Sequence, residues 1–367
     1  MLPSSNVFRR LWLPAAETLL IGTIGGVTFT LIGFPAGLVS GSLLAVAAAA
    51  LIGRPMMVPR PLARVISVLV GISLGAVVTP ETLKGIIAFP LSIAVLLVST
   101  AGMMVATTSY LRFVHGWDAQ SALFGASPGG LGQVMLLAVD YGADVRKIAI
   151  VQVMRVVVLT IGIPAGLAWF GLMAHGVLLP RSGPGIASVS ELAILVVVSA
   201  AAAIALRWLR FPGGLMFGAM IGSGVLHGTG TIDAVLPWWV AAAAVISIGA
   251  VTGSRFSGTE PRTLLRYLGA ALGSFAVAIT IATCFVMLLT MLLDVRSADV
   301  VVAFAPGAQD TMMVLALALH LDPIFVGAHH VARFLLVSLS LPILASWLRH
   351  APPHPRPEPP SRPTIED

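Results

Sequence analysis

Between Arg266 and Asp294 the chain runs through 27 consecutive residues without a single charge. About 20 apolar residues are enough for an α-helix to cross the hydrocarbon core of a bilayer. Inside that core only a helix or a closed barrel satisfies its own backbone hydrogen bonds. Runs of this kind recur along the chain. Spans are predicted near 11–32, 35–53, 63–79, 86–111 and 147–172, and again near 190–206, 212–227, 236–253, 266–293 and 324–347. Composition agrees: 57% of the 367 residues are hydrophobic and 10% are charged, and the mean hydropathy is +0.99. A soluble domain carries about 25% charge. The prediction is an all-α polytopic membrane protein, with the lipid bilayer as its surroundings.

The net charge of +6 does not by itself point to nucleic acid. The basic residues stand singly in short loops between apolar runs, as topology signals do, so the expectation is no nucleic-acid partner. Arg9 and Arg10 precede an apolar run that is long for a signal peptide, and it is read as a first membrane helix. The lone Cys284 excludes an intramolecular disulfide and a multi-cysteine metal site. No HExxH helix, nucleophile elbow, P-loop or Cys/His ligand spacing is present, so neither an enzyme nor a cofactor or metal is expected. "GTIGG" (Gly22–Gly26) sits inside an apolar helix and reads as close helix packing. The segment 349–367 is Pro-rich and polar and is expected to be disordered.

Two stretches repeat each other. Pro128 to Pro164 lies over Pro306 to Pro342 at a constant offset of 178 residues. Pro128, Gly129, Asp144, Arg155 and Pro164 meet Pro306, Gly307, Asp322, Arg333 and Pro342. "FPAGLVSG" upstream resembles "FPGGLMFG", and "SLGAV" resembles "SIGAV". The predicted organisation is a cytoplasmic N-terminus (1–10), repeat 1 (11–175), a linker (176–189), repeat 2 (190–348) and the tail (349–367). If the Pro-Gly segments 119–141 and 298–319 each enter and leave on one side, every half has about five spans and the second half is inverted. Most arginines then fall in cytoplasmic loops, Arg255 among them, and only Lys84, Arg181 and Arg296 fall outside. Six parallel spans per half would put Arg146, Lys147, Arg207, Arg210, Arg255, Arg262 and Arg266 outside. The positive-inside rule prefers inverted repeats in an inner membrane with both termini cytoplasmic.

Helix breaks at membrane depth survive where they face protein or a wet cavity, and matched breaks in inverted repeats point to a transporter site near the midplane. The candidate substrate-binding residues are Arg155, Arg333, Ser127, Gly129, Gln133, Gln309 and Thr311. Those for proton or ion coupling are Asp310, His330, His329 and Asp140. Asp310 falls on Gly132, so only the second repeat puts a carboxylate at the break. The competing reading makes the two arginines structural, pairing with carboxylates or with carbonyls at the breaks.

"SPGGLGQVMLLAVDYGADVRKIAIVQVMR" and "APGAQDTMMVLALALHLDPIFVGAHHVARFLLV", with the two FP(A/G)G stretches, resemble the bacterial AbrB-type membrane proteins over about residues 15–347. The resemblance implies a duplicated membrane protein and a role in regulating gene expression. An ammonia monooxygenase label, also attached to the family, has no metal-ligand cluster to support it here. The expected function is secondary transport of a small molecule or ion, such as an organic anion. The alternative is a membrane-embedded ligand sensor that regulates gene expression. A homo-oligomer is left open.

Overall fold

The computed structural model describes residues 5–78, 89–128, 131–172 and 188–350. Its side chains are described over 12–78, 89–128, 134–172 and 188–348. Most of the predicted linker, residues 351–367 of the predicted tail, Lys84, Arg181 and Gly129 lie outside the described residues, as does the side chain of Gln133. Among the described residues there are 14 α-helices and one 3-10 turn. They are α1 (Ser5–Leu31), α2 (Gly37–Leu51), α3 (Arg60–Gly75), α4 (Phe89–Phe113), α5 (Ala119–Ala126), α6 (Leu131–Asp140) and α7 (Val145–Trp169), followed by α8 (Val189–Trp208), α9 (Gly214–Gly228), α10 (Trp238–Gly253), the turn Ser254–Phe256, α11 (Pro261–Leu292), α12 (Ser297–Phe304), α13 (Gln309–Ala318) and α14 (Pro323–His350).

Seven of these helices are long and apolar enough to cross a membrane: α1, α4, α7, α8, α10 with its turn, α11 and α14. The protein is an all-α, multi-pass membrane protein. The expectation of five full-length spans per half is not met by length. Helices α2, α3 and α9 have only 15 or 16 residues, about 23 Å at 1.5 Å per residue, against roughly 30 Å of hydrocarbon. Helix α3 also carries Arg60 and Arg64 in its first turns.

The helix starts follow from local chemistry. Asp144 accepts hydrogen bonds from the N–H groups of Arg146 and Lys147 at the start of α7. Asp322 accepts from those of Ile324 and Phe325 at the start of α14. Pro59 and Pro237 precede α3 and α10, where a missing N–H costs nothing.

Helices α1 and α8 form the periphery, packing on α2 and α9 respectively. Between them α2 crosses α10, α9 crosses α3, and α4 runs against α11. The outer faces are apolar, with Ile24, Val197 and Leu265 exposed, as lipid contact requires. Small residues let the helices approach. A Cβ on Gly25 would meet the backbone of Gly41, and one on Gly71 would meet the backbone of Met216. Ser42 donates to the carbonyl of Ile246 at 2.5 Å and Ser223 to that of Ile72 at 2.8 Å. Glycine and serine therefore join these helices by close approach and by hydrogen bonds to backbone, and Gly25 and Gly26 of the GTIGG run serve the α1–α2 contact.

Candidate functional site

The two interrupted segments sit beside the helices that carry the buried arginines. Helix α5 ends at Ala126 and α6 begins at Leu131; α12 ends at Phe304 and α13 begins at Gln309. An ending helix leaves carbonyls without partners and a partial negative charge of about half an electron. At membrane depth no water is available to answer either.

Side chains three residues apart on α7 and α14 answer both. Gln152 Nε2 donates to the Phe124 carbonyl at 2.9 Å. Arg155 donates to the carbonyls of Ala126 at 3.3 Å and Ser127 at 2.9 Å. On α14, His330 Nε2 lies 3.1 Å from the Val302 carbonyl, and a carbonyl only accepts, so this nitrogen carries the proton. Arg333 donates to the carbonyls of Ala303, at 2.6 Å, and Ala305. Each arginine thus places a positive charge at the negative end of a half-helix. Arg155 is 5% exposed and Arg333 1%. Their Nε atoms are buried with no hydrogen-bond partner among the described residues.

The other candidates divide. Ser127 is fully buried and its hydroxyl donates to the Leu123 carbonyl at 2.7 Å. His329 is enclosed by Phe89, Phe304 and Phe325, its ring centroid 4.1 Å from that of Phe325 at a tilt of 36°, with Nδ1 on the Phe325 carbonyl and Nε2 beside the Ser92 hydroxyl. Asp140 closes α6 at the end away from the break and is exposed. The structure therefore does not bring Asp140 to the other candidates: nine residues of helix, about 13 Å, separate it from Leu131.

Gln309, Asp310 and Thr311 form the first turn of α13, which packs among α2, α3, α7, α10 and α14. The Gln309 carboxamide lies against the backbone of Gly213, which holds a positive φ of 64°. Thr311 is buried, its hydroxyl 3.4 Å from that of Thr252 on α10. Asp310 differs from its neighbours. It is exposed, on a first turn whose Thr311 is buried and whose helix continues into the fully buried stretch Met312 to Ala316. Arg255 stands in the turn that closes α10, one helical turn on from Thr252. Neither makes a hydrogen bond or an ion pair within 4.0 Å among the described residues. Sequence reasoning placed Arg255 among the cytoplasmic loop charges and missed it here; the signal was the threonine one turn before it.

The mouths of the interrupted segments also correspond. The N–H of Asp144 donates to the Ser121 hydroxyl at 2.8 Å, and that of Asp322 to the Asp299 carboxylate at 2.9 Å. Burial pushes the carboxyls of Asp299 and Asp322 above the usual range, while the backbone N–H groups they accept pull the other way. The segments differ in depth. Met312 to Ala316 of α13 are fully buried, whereas on α6 Leu136 is 72% and Val139 65% exposed.

Among the described residues no group of three His, Cys, Asp or Glu side chains could hold a metal ion, so the donor set a copper monooxygenase requires is not assembled there.

Comparison with known proteins places this geometry. Residues 38–349 match the family described as "Transition state regulatory protein AbrB". The chain is 26% identical to "Uncharacterized protein YhjN" of Bacillus subtilis (strain 168), over 95% of this chain and 96% of that protein. It is also 26% identical to "Putative regulator AbrB" of Escherichia coli (strain K12), over 88% and 92% respectively. These descriptions overturn the expectation that nucleic acid is no partner, because a regulatory family brings nucleic acid back among the partners. The earlier argument rested on scattered basic residues, which speak to membrane orientation and not to what a regulator finally acts on. With the match spanning most of the sequence, the chain belongs to the AbrB family.

Proposed function

We propose that the protein is a membrane-embedded regulator that binds a small ligand beside the first turn of α13 and passes its occupancy on to gene expression. One observation carries the ligand-binding half: Asp310 is an exposed carboxylate at the start of a helix whose next residues, Met312 to Ala316, are fully buried in the apolar core. An ionisable group at such depth is a functional candidate by default. The regulatory half rests on the family description and on the E. coli relative's name. In this reading Asp310 faces the ligand, and Gln309 and the buried Thr311 hold the turn that presents it. Arg155, Arg333, Gln152 and His330 hold the half-helices in place. Transcript profiling of a deletion strain tests it. Transcripts should change on deletion, return with the wild-type gene, and fail to return with Asp310→Asn expressed at equal level in the membrane. Transcripts indifferent to deletion would remove the regulatory reading.

A second reading, secondary transport of a small organic anion, is favoured by the unequal depth of α6 and α13. Inverted-repeat carriers work by moving one repeat against the other around a midplane site, and any one state of such a cycle is asymmetric. Flux into proteoliposomes separates the two readings: uptake lost in Asp310→Asn favours transport, and regulated transcripts without uptake favour the sensor.

We also infer that residues 11–175 and 190–348 are inverted repeats, with both termini cytoplasmic. Helix boundaries support this. The limits of α5, α6 and the start of α7 fall on those of α12, α13 and α14 at the offset of 178 residues, and α2 falls on α9 at 177. Packing partners exchange under the same correspondence: α2–α10 becomes α9–α3, and α5–α7 becomes α12–α14. Arg146→Cys and Asp294→Cys, each in a Cys284→Ala background, should react with an impermeant maleimide from opposite faces of the membrane. Labelling of both from one face would rule out inversion.

A further inference from the structure

The lipid-facing surface is not flat where α1 meets α10. A groove of about 740 Å³ runs beside their crossing, walled by α1 from Leu19 to Leu31 and by α10 from Trp238 to Ser247, with Leu38 of α2 also lining it. The two helices touch along one edge of it, where a Cβ on Gly26 would meet Ile246 at 3.3 Å. The rim is exposed at Val27, Leu31 and Trp239, so the groove opens on the face that meets hydrocarbon. Helix α1 ends at Leu31 and α10 begins at Trp238, which puts the mouth where these spans leave the membrane. The α1 wall is about 18 Å long at 1.5 Å per residue, little more than one leaflet of a bilayer with about 30 Å of hydrocarbon.

The lining selects the occupant. Three hydroxyls face the groove, and each donates back along its own helix: Thr23 to the Leu19 carbonyl and Thr30 to that of Gly26, both at 2.8 Å, and Ser247 to that of Ala243 at 2.6 Å. The body of the groove therefore has no side-chain donor to offer a ligand. Donors stand only at the mouth, as the indoles of Trp238 and Trp239, side chains that favour the membrane boundary. Width decides between apolar occupants. Spread over the length of the α1 wall, the volume gives a mean cross-section of about 40 Å², against roughly 80–110 Å² for a helix 10–12 Å across. A helix of a second copy is too thick to enter; an extended hydrocarbon chain is not. Left empty, the groove would deny its walls their packing contacts. We propose that it is a binding site for one membrane phospholipid, with an acyl chain lying between α1 and α10 and the ester region beside Trp238 and Trp239. The site is separate from the Asp310 turn and does not depend on the ligand reading above.

The test counts lipid. Full-length wild type and variants are purified in mild detergent, washed with excess detergent and extracted, and their phospholipid is measured by mass spectrometry. One phospholipid should stay with each wild-type chain. Ala243→Phe, which puts a ring into the groove from an exposed position, should lose it. Ile24→Phe, also lipid-facing on α1 but outside the groove, should keep it. Changing Trp238 and Trp239 together to phenylalanine keeps the rings and removes both N–H donors, so that variant should release its lipid at a lower detergent concentration than the wild type. Should Ala243→Phe fail to fold, wild-type protein in vesicles of phosphatidylethanolamine with a diazirine midway along one acyl chain supplies the same discrimination. Photo-adducts should concentrate on residues 19–31 and 238–247 over the lipid-facing sides of α8 and α11. No phospholipid on the washed wild type, lipid kept by Ala243→Phe, lipid lost from Ile24→Phe as well, or adducts spread evenly over α8 and α11 would each overturn the proposal. Extraction of an isoprenoid quinone in place of phospholipid would do the same, as would a dimer, read by light scattering, that Ala243→Phe dissociates. An unchanged release from the double tryptophan variant would overturn the placing of the ester region.

Discussion

Replacing Arg333 with methionine is expected to lower the unfolding midpoint by roughly 5–10 °C and to reduce the yield of folded protein, a loss of about 3–5 kcal/mol. Methionine keeps much of the volume and removes the burden of burying a charge. It also strands the carbonyl of Ala303, which Arg333 alone satisfies among the described residues, and leaves the Ala305 carbonyl with the Gly307 N–H as its remaining donor. Each stranded group costs about 1–3 kcal/mol in a protein interior, and more where the alternative solvent is hydrocarbon. The C-terminal charge of α12 is left uncompensated as well. Those losses exceed the gain because the Ala303 carbonyl and a helix end depend on one side chain. Arg333→Lys should fall between, since a single ammonium answers fewer acceptors than the guanidinium fork. Tryptophan fluorescence during heating in detergent is a direct readout. An unchanged midpoint in Arg333→Met would show that the guanidinium is not there to hold the break, and would return it to the ligand.

The second large effect is steric. Gly41→Leu is expected to prevent α1 and α2 from docking. A Cβ at Gly41 would sit 2.6 Å from Phe29 Cβ and 2.8 Å from the carbonyl carbon of Gly25. A side-chain tip could rotate away, but the backbone of a neighbouring helix cannot. Overpacking a core costs about 1–3 kcal/mol where side chains can adjust, and more where they cannot. The disturbance also spreads. Helix α2 is tied to α7 by Ser40 donating to the Thr160 carbonyl and to α10 by Ser42 donating to that of Ile246. Gly162→Leu is the control: that position, on α7, has open space around it. Size-exclusion profiles should show aggregated or absent Gly41→Leu and monodisperse Gly162→Leu. Two equally monodisperse variants would refute the packing argument.

Much of this fold is legible in the sequence, because hydropathy reports depth along a helix. The uncharged run Tyr267–Leu293 lies within α11 (Pro261–Leu292) but for its last residue, and the Pro-Gly pairs fall between α5 and α6 and between α12 and α13. Arg155 and Arg333 are legible as buried charges for the same reason: each sits about two turns into an apolar helix. Their bonding is not legible. Sequence gives distance along an axis and leaves open which neighbour a side chain meets, so a bound anion and a structural partner, carboxylate or carbonyl, were both open for the two arginines. Asp140 looked close to the break in sequence, yet a rigid helix carries it to the far end. Arg255 was hidden for the opposite reason. A basic residue at a span's end reads as a topology signal whether it faces water or is half-buried, as Arg255 is.

The paired caps on α14 have a mechanical consequence. His330 and Arg333 hold the end of α12 to the shaft of α14, and Asp299 and Asp322 tie the mouth of the same segment to its base. Rotation of α14 about its axis would break every one of these bonds, so α12 and α14 are constrained to turn as one piece. Compliance must then lie elsewhere, at the joints where this piece meets the crossed helices. One such joint is the 3.4 Å contact between Thr252 and Thr311, long for a hydroxyl pair and one residue from Asp310. A stimulus applied there acts on a joint and not on the rigid piece.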